Sequence, residues 1–436
     1  MAAPQQPHPE EPATVTQEDA VGAPLRTWAG NLTYRARRVH RPRTVAEVQD
    51  VVARSERVKA LGSRHCFNDI ADTTADHVLL DDLALPVEVD DAAGLIRVPA
   101  GMRYGELVRE LAGHGRALHN LASLPHITVA GATATGTHGS GNRNGSLSTS
   151  VAGLELVRSD GELVVLGPDD ADLPGAVVHL GALGVVTRVL LRTQPTFRVR
   201  TSAYLGLTWE RLFADLDEVT AAAYSVSVFT DWHRVTSVYV KSRTDELEVA
   251  PEDFFGARAA TEPTHMLPDA PVENLTDQLD LPGEWHERLP HFRTEFTPSR
   301  GEELQSEYFV PREHARAACE ALRSLAGRIS PLLQVGEIRT VAADELWLSP
   351  AHGGDVLALH FTWLPDQPAV TALLPEVEEA LRPLGARPHW GKLFTTGAAE
   401  LERRYPRMAD FRDLVRRYDP RGAFRNDYLD RTIGPA

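Results

Sequence analysis

Leu61-Gly-Ser-Arg-His-Cys-Phe-Asn68 is a short, glycine-turned stretch carrying an imidazole, His65, directly after a helix–strand pair. Upstream, Thr44-Val-Ala-Glu47 is a capping box, and Val45, Val48, Val51 and Val52 follow at helical spacing. Residues 58–61 then read as a short strand ending at Gly62. This order puts Ser63, Arg64 and His65 in a tight turn whose backbone N–H groups can face an anion. A second glycine-rich run, Gly131-Ala-Thr-Ala-Thr-Gly-Thr-His-Gly-Ser-Gly141, offers another such cradle. It is not a P-loop, because no Gly-Lys-Ser/Thr follows, and it lacks the G-x-G-x-x-G spacing of a dinucleotide fingerprint. Residues 132–135 favour extended structure, so on this run alone a glycine-rich turn between strands is as good an account as a phosphate cradle.

Further strands are expected at 78–80, 87–89, 95–98, 154–157, 163–166 and 185–191. Tyr104, Leu107, Val108 and Leu111 mark a second amphipathic helix. Many short strands without regular strand–helix alternation predict an α+β fold. The texture changes near residue 200, where 225–229, 237–240 and 304–310 carry strand patterns. Residues 242–300 are rich in Pro and acidic side chains, and the run Asp245, Glu246, Glu248, Glu252 and Asp253 reads as a solvated loop. The expected organisation is a disordered tail (1–27), a first domain (28–199), a second domain with an antiparallel sheet (200–385) and a C-terminal segment returning to the first (386–436).

At 436 residues the chain is too long for one typical core. A net charge of −16 with no Lys/Arg cluster argues against a nucleic-acid partner. Two cysteines, Cys66 and Cys319, build neither a disulfide framework nor a zinc site. No H-E-x-x-H or comparable ligand spacing supports a metal hydrolase, so no metal is expected. The tail has neither a basic start nor an apolar run, and no stretch is long enough for a membrane span. A cytoplasmic monomer is the expectation.

Strand alternation places residues i and i+2 on one face. Glu337 and Arg339, His360 and Thr362, and Gln305 and Glu307 therefore pair off on three strands, which suggests a polar wall. From periodicity alone, a surface salt bridge is the simpler account of Glu337 and Arg339. A half-buried ring satisfied by backbone accounts equally well for His360.

Taken together, the segments resemble the vanillyl-alcohol-oxidase-type flavoproteins, and more closely the alditol (xylitol, sorbitol) oxidases. The resemblance runs from Trp28-Ala-Gly-Asn31 to about Asn426. It includes Asn120-Leu-Ala-Ser-Leu-Pro-His-Ile-Thr-Val-Ala-Gly131, Ala222-Ala-Tyr-Ser-Val-Ser227, Trp285-His-Glu-Arg-Leu-Pro-His-Phe292, Glu337-Ile-Arg-Thr-Val-Ala342 and Arg387-Pro-His-Trp-Gly-Lys392. The likeness implies an FAD-binding domain, a substrate-binding cap, and FAD bonded through its 8α-methyl to His65. It places Leu61, Gly62, Ser63, Arg64, Cys66, Ser123, Thr128, Gly131, Thr135, Gly136, Thr137, His138, Val185 and His389 around the cofactor. Without a covalent bond, His65 would be a turn histidine bonded to pyrophosphate or backbone. Arg64 stands where the family often has Gly, and Cys66 where it often has Ser; a thiol-linked flavin is the lesser alternative.

The resemblance also implies a substrate site of Ser123, Gln305, Glu337, Arg339, His360, Thr362 and Lys392. A linear polyol offers neither charge nor ring, so selectivity needs a matched row of donors and acceptors. Arg339 and Lys392 are expected to stabilise the reacting oxygen, Glu337 to accept from the neighbouring hydroxyl, and His360 to act as general base. The implied reaction oxidises a terminal hydroxyl to the aldose by hydride transfer to flavin, with oxygen reduced to hydrogen peroxide. The small Ala122, where the family controls oxygen access, is compatible with an oxidase. The rivals are a sugar-1,4-lactone oxidase, a polyol dehydrogenase and, more distantly, a non-catalytic carbohydrate-binding protein.

Overall fold

The computed structural model describes residues 25–246, 251–267, 270–293 and 302–435. Glu248 of the acidic run and residues 1–24 of the N-terminal tail lie outside the described residues. Residues 25–27 do not dangle: Arg26 bridges to Thr33, and the Tyr34 N–H donates to Leu25 O.

Helix α1 (Val45–Arg54) starts where the capping box places it, with Thr44 Oγ1 accepting from the Glu47 N–H. The Glu47 carboxylate reaches back to the Arg43 N–H rather than to the cap itself. Val48, Val51 and Val52 are buried, and strand β1 (Val58–Ala60) follows. β1 and Arg38–His40 flank Asp76–Val78 in a three-stranded parallel sheet. The central strand begins two residues before the expected 78–80. Its first residue, Asp76, is a fully buried acid paired with Arg38 and His40, which hides the strand from an apolar pattern.

A five-stranded antiparallel sheet lies beside it, in the order Glu88–Asp90, Leu95–Pro99, Val185–Arg192, Val151–Val157, Leu163–Leu166. The C-terminal helices share its core: Phe411, Leu414 and Tyr428 cluster with Val98 and Val189, and Val58 donates its N–H to Ala423 O. Among the described residues, no helix is long and apolar enough to cross a membrane.

The expectation of extended structure at 132–135 is wrong. Helix α2 (Val129–Ala134) occupies this run. Its threonines satisfy themselves within the turn, Thr133 Oγ1 donating to Val129 O and Thr135 Oγ1 to Gly131 O. With the hydroxyls bonded back one turn, their β-branching no longer favours a strand.

The second half is built on a ten-stranded sheet. Its longest members include β2 (Val235–Arg243), β3 (Leu304–Pro311), β4 (Leu333–Val341) and β5 (Val356–Trp363). The main path runs Asp253–Phe254, Ala257–Ala259, Arg198–Leu205, β2, Ser225–Thr230, β4, β5, β3, Arg387–Pro388, antiparallel throughout. Leu322 and Val370, from two helices, cover one face, packing on Tyr308, Ile338, Phe361 and Trp363. Alternation therefore turns Gln305, Glu307, Glu337, Arg339, His360 and Thr362 to the other face, toward the first half. Asp245, Glu246, Glu252 and Asp253 are exposed, yet the surrounding segment is not all solvated loop. Phe254, Met266, Leu275, Trp285 and His291 are buried, and their irregular spacing left no periodic signal.

Candidate active site

A cavity of about 1000 Å³ lies between the two halves. From the first half it is lined by Leu61, Gly62, Ser63, Arg64, His65, Cys66, Ala122, Ser123, Thr128, Gly131, Thr135, Thr137 and His138. The sheet face supplies Gln305, Glu307, Glu337, Arg339, His360 and Thr362, and the loop after Arg387–Pro388 adds His389 and Lys392. Two expected cofactor residues do not line it. Val185 lies on a strand whose neighbours Gly184 and Val186 face the cavity, so alternation turns it into the core. Gly136 turns the chain at φ +72° and sits against Pro350.

The two glycine segments close on Thr128. A Cβ on Gly62 would lie 2.5 Å from Thr128 Oγ1, and one on Gly131 would lie 2.8 Å from it. Among the described residues, the N–H groups of Gly62, Ser63, His65 and Cys66 make no backbone hydrogen bond. Arg64 has φ +61°, the left-handed region where glycine is the unstrained residue. Arg64 therefore holds a conformation that the Gly implied by the resemblance would adopt without strain. The His65 ring packs 4.3 Å from the Trp28 ring, and burial, helped by Lys392, pushes its pKa down to about 3. Its imidazole is therefore neutral. Burial pushes the Cys66 thiol up to about 12, which leaves no thiolate at neutral pH.

Sheet register builds the polar wall. Glu307 on β3 and Glu337 on β4 both pair with His360 on β5, and Gln305 pairs with Thr362. Glu307, fully buried, is the hub: Oε1 accepts from Arg339 Nη2 at 2.6 Å, and Oε2 from Lys392 Nζ at 2.6 Å. His138 Nε2 lies 3.2 Å from the same carboxylate. Burial opposes its charge, but Lys392, Arg339 and His138 hold it well below the usual carboxylate range. Glu337 is likewise held down, by Arg339 and His291. Lys392 Nζ also sits 2.7 Å from His360 Nδ1, while His360 Nε2 meets Thr362 Oγ1 at 3.1 Å. Burial, then Lys392, lowers the His360 ring to about 4. Gln305 Nε2 donates to Glu303, and His389 Nδ1 accepts from the Gly391 N–H.

These facts displace both bland readings of the wall. Glu337 and Arg339 are 5% and 6% exposed, so theirs is not a surface salt bridge. His360 is satisfied by side chains and not by backbone. Sequence reasoning paired Glu307 with Gln305 but did not place it in the site, although the same alternation carried the signal. His291, which bonds Glu337, and Lys241 behind it gave no periodic signal at all. Among the described residues no cluster of His, Cys, Asp or Glu could hold a metal ion.

The cavity fits FAD on its own chemistry. Its volume is at the top of the usual range of about 300–1,000 Å³ for small-molecule sites and exceeds what a polyol alone needs. Gly62, Ser63, His65 and Cys66 present N–H groups that, among the described residues, make no backbone hydrogen bond and suit phosphates, the neutral His65 imidazole lies beside Trp28, and the sheet face carries the charged cluster.

Comparison with known proteins accounts for both halves. An FAD binding domain model matches residues 36–167, and a D-arabinono-1,4-lactone oxidase model matches 297–432. The chain is 52% identical to an alditol oxidase from Streptomyces sp. (strain IKD472 / FERM P-14339), covering 92% of this chain and 97% of that protein. It is 32% identical to L-gulono-1,4-lactone dehydrogenase of Mycobacterium tuberculosis (strain ATCC 25618 / H37Rv), covering 94% and 98%. Among solved structures, cholesterol oxidase from Brevibacterium sterolicum (His121Ala) matches with a TM-score of 0.76 at 15% identity, over 94% and 96% of the two chains. That last likeness shows the fold alone: an FAD-binding domain joined to a cap with a large antiparallel sheet. With both halves matched and the relationship spanning nearly the whole chain, this FAD-binding protein belongs to the alditol oxidase family.

Proposed function

We propose that this protein oxidises a terminal hydroxyl of linear polyols such as xylitol and sorbitol to the aldose. The observation that carries this reading is the buried Glu307–Arg339–Lys392–His360 cluster, facing the glycine loops across one cavity. Bound FAD supplies the hydride acceptor and returns the electrons to oxygen as hydrogen peroxide. Residues 28–199 and 386–436 form the cofactor half, and 200–385 form the cap.

Each side chain then has a task. Arg339 and Lys392, kept charged by Glu307 and Glu337, donate to the reacting oxygen and favour its developing negative charge. The hydroxyl of a carbon that is losing hydride is strongly acidic, so a weak base suffices. His360 Nδ1, 2.7 Å from Lys392 Nζ, takes a proton from Lys392, and the amine so freed takes the hydroxyl proton, which leaves the lysine cationic again. The lowered pKa of His360 keeps the ring unprotonated until that moment. Glu337 accepts from the next hydroxyl along the chain, and Ser123, Gln305 and Thr362 bind further ones. Ser63, Arg64, Thr128, Thr135, Thr137 and His138 hold the cofactor with His389. The neutral, unprotonated His65 imidazole is the nucleophilic nitrogen that a covalent link to the flavin requires. The protein acts as a cytoplasmic monomer.

The lactone oxidase model and the 32% identical lactone dehydrogenase favour a second reading, oxidation of a sugar-1,4-lactone. One experiment separates these. The purified protein's visible spectrum is recorded before and after acid precipitation, then during anaerobic addition of xylitol and, separately, of L-gulono-1,4-lactone. Yellow colour that stays with the precipitate and bleaches with xylitol supports the polyol reading and the His65 link together. Bleaching by the lactone alone transfers the protein to the second reading, and acid-released colour removes the covalent bond.

A further inference from the structure

Behind Glu337 lies a buried hydrogen-bonded chain that the proposed reaction does not use. Lys241 on β2 is 1% exposed. Its amino group meets Leu289 O at 2.5 Å, Pro290 O at 3.2 Å and His291 Nδ1 at 3.1 Å, and burial lowers its pKa to about 7. The direction of the chain is set from the other end: an ionised Glu337 can only accept, so His291 Nε2, 2.9 Å from Oε1, carries the hydrogen. Nδ1 of the neutral ring is then the acceptor for a Lys241 N–H. The edges of Phe229 and Tyr239 hold the imidazole in place, each centroid 5.6 Å away. The chain therefore has one direction, from Lys241 through a neutral His291 to an ionised Glu337.

We propose that Lys241 and His291 are positioning residues that make Glu337 an acceptor-only carboxylate toward the substrate. With Oε1 committed to His291, Oε2 is left for the cavity, 3.5 Å from Arg339 Nε. Arg339 Nε has no hydrogen-bond acceptor of its own. A substrate hydroxyl placed there donates its hydrogen to Glu337 Oε2 and accepts from Arg339 Nε on the same oxygen. The pair selects a free hydroxyl on the carbon next to the reacting one, because an analogue lacking it strands both groups. This assignment rests on Glu337 contacting the polyol as proposed above.

The test uses holoenzyme labelled with ¹⁵N-histidine, the His291 signals being assigned from their loss in H291Q. The expected result is a neutral ring protonated at Nε2. A ring protonated at Nδ1, or an imidazolium at neutral pH, overturns the directional chain whatever the substrate proves to be. K241M removes the donor at Nδ1 while Glu337 keeps the hydrogen on Nε2, so the Nδ1 signal is expected to shift and the ring's pKa to rise while flavin absorbance per protein is unchanged; an unaltered Nδ1 signal and ring pKa refute the role of Lys241. The second readout is the ratio of kcat/KM for xylitol to that for a 2-deoxy alditol. H291L is expected to lower this ratio about tenfold or more, the loss of a hydrogen bond to a charged group. H291Q, which keeps an N–H donor for Glu337, restores most of it. An H291L enzyme that discriminates like wild type refutes the specificity role. If H291L does not fold, the H291Q ratio decides: a collapse equal to complete loss of discrimination refutes the donor role. A wild type that oxidises no polyol at all defeats the proposed function but leaves the tautomer measurement valid.

Discussion

Substituting Glu307→Gln removes one negative charge while nearly conserving volume, and leaves two buried cations short of a counter-ion. Each of Arg339 and Lys392 is 2.6 Å from a Glu307 oxygen. At an effective dielectric near 20, one such contact is worth about 4 kcal/mol of Coulomb attraction. The two cations respond differently. Arg339 cannot shed its proton, whereas burial already lowers the pKa of Lys392, so Lys392 becomes neutral in the variant. The net cost to stability should be about 3–5 kcal/mol, the usual price of breaking a buried pair from one side. In a chain of 436 residues this lowers Tm by about 3–5 °C. Losing one cationic donor at the reacting oxygen should reduce kcat by about 10²–10³-fold at pH 7. The sign with pH is diagnostic: lowering the pH returns the proton to Lys392, so the variant recovers activity in the direction in which wild type does not gain. The assay is peroxide formation from xylitol from pH 5 to 8, with a thermal melt at pH 7. A variant within about threefold of wild-type kcat and with the same pH profile would refute the hub role of Glu307.

Replacing His65 with Ala is expected to leave FAD bound but released by acid; colour that still precipitates with the variant assigns the link elsewhere. Arg339→Met should lower kcat by about 10²–10³-fold with little change in flavin content, measured by stopped-flow bleaching under anaerobic conditions; a loss confined to KM would make Arg339 a binding residue only. His179, His291 and His360 are each lowered to about 4, chiefly by burial, so the unfolded chain binds protons that the native rings refuse. The contribution of these rings is accordingly complete above about pH 6.5 and is lost as the pH drops toward 4, with Glu307 and Glu337 adding losses below their ordinary range. Thermal melts at pH 7.5, 6 and 5 check this, and a Tm that is flat or rises on acidification contradicts it.

Much of the molecule is written in local sequence. The capping box set the start of α1, and apolar spacing located α1 and the helix Tyr104–Gly113. Alternation alone put Glu337 with Arg339, and His360 with Thr362, on shared faces, because a strand's side-chain period is fixed by its backbone. The two glycine loops were legible because glycine is demanded where a chain passes close to another or turns left-handed. Three things were not legible. The run at 129–134 is helical because threonine hydroxyls bond back one turn, a choice that propensity does not reveal. Val185 faces the core because one residue of register reverses a side chain. Whether Glu337 and Arg339 formed a surface pair or a buried site depended on how β3, β4 and β5 align, and on the Lys392 loop that closes over them. Strand periodicity decides which residues can share a face. Only the tertiary structure decided that Glu307 would anchor two cations, and that Lys241 and His291 would stand behind Glu337, because those contacts join segments 32 to 85 residues apart, which no local period encodes.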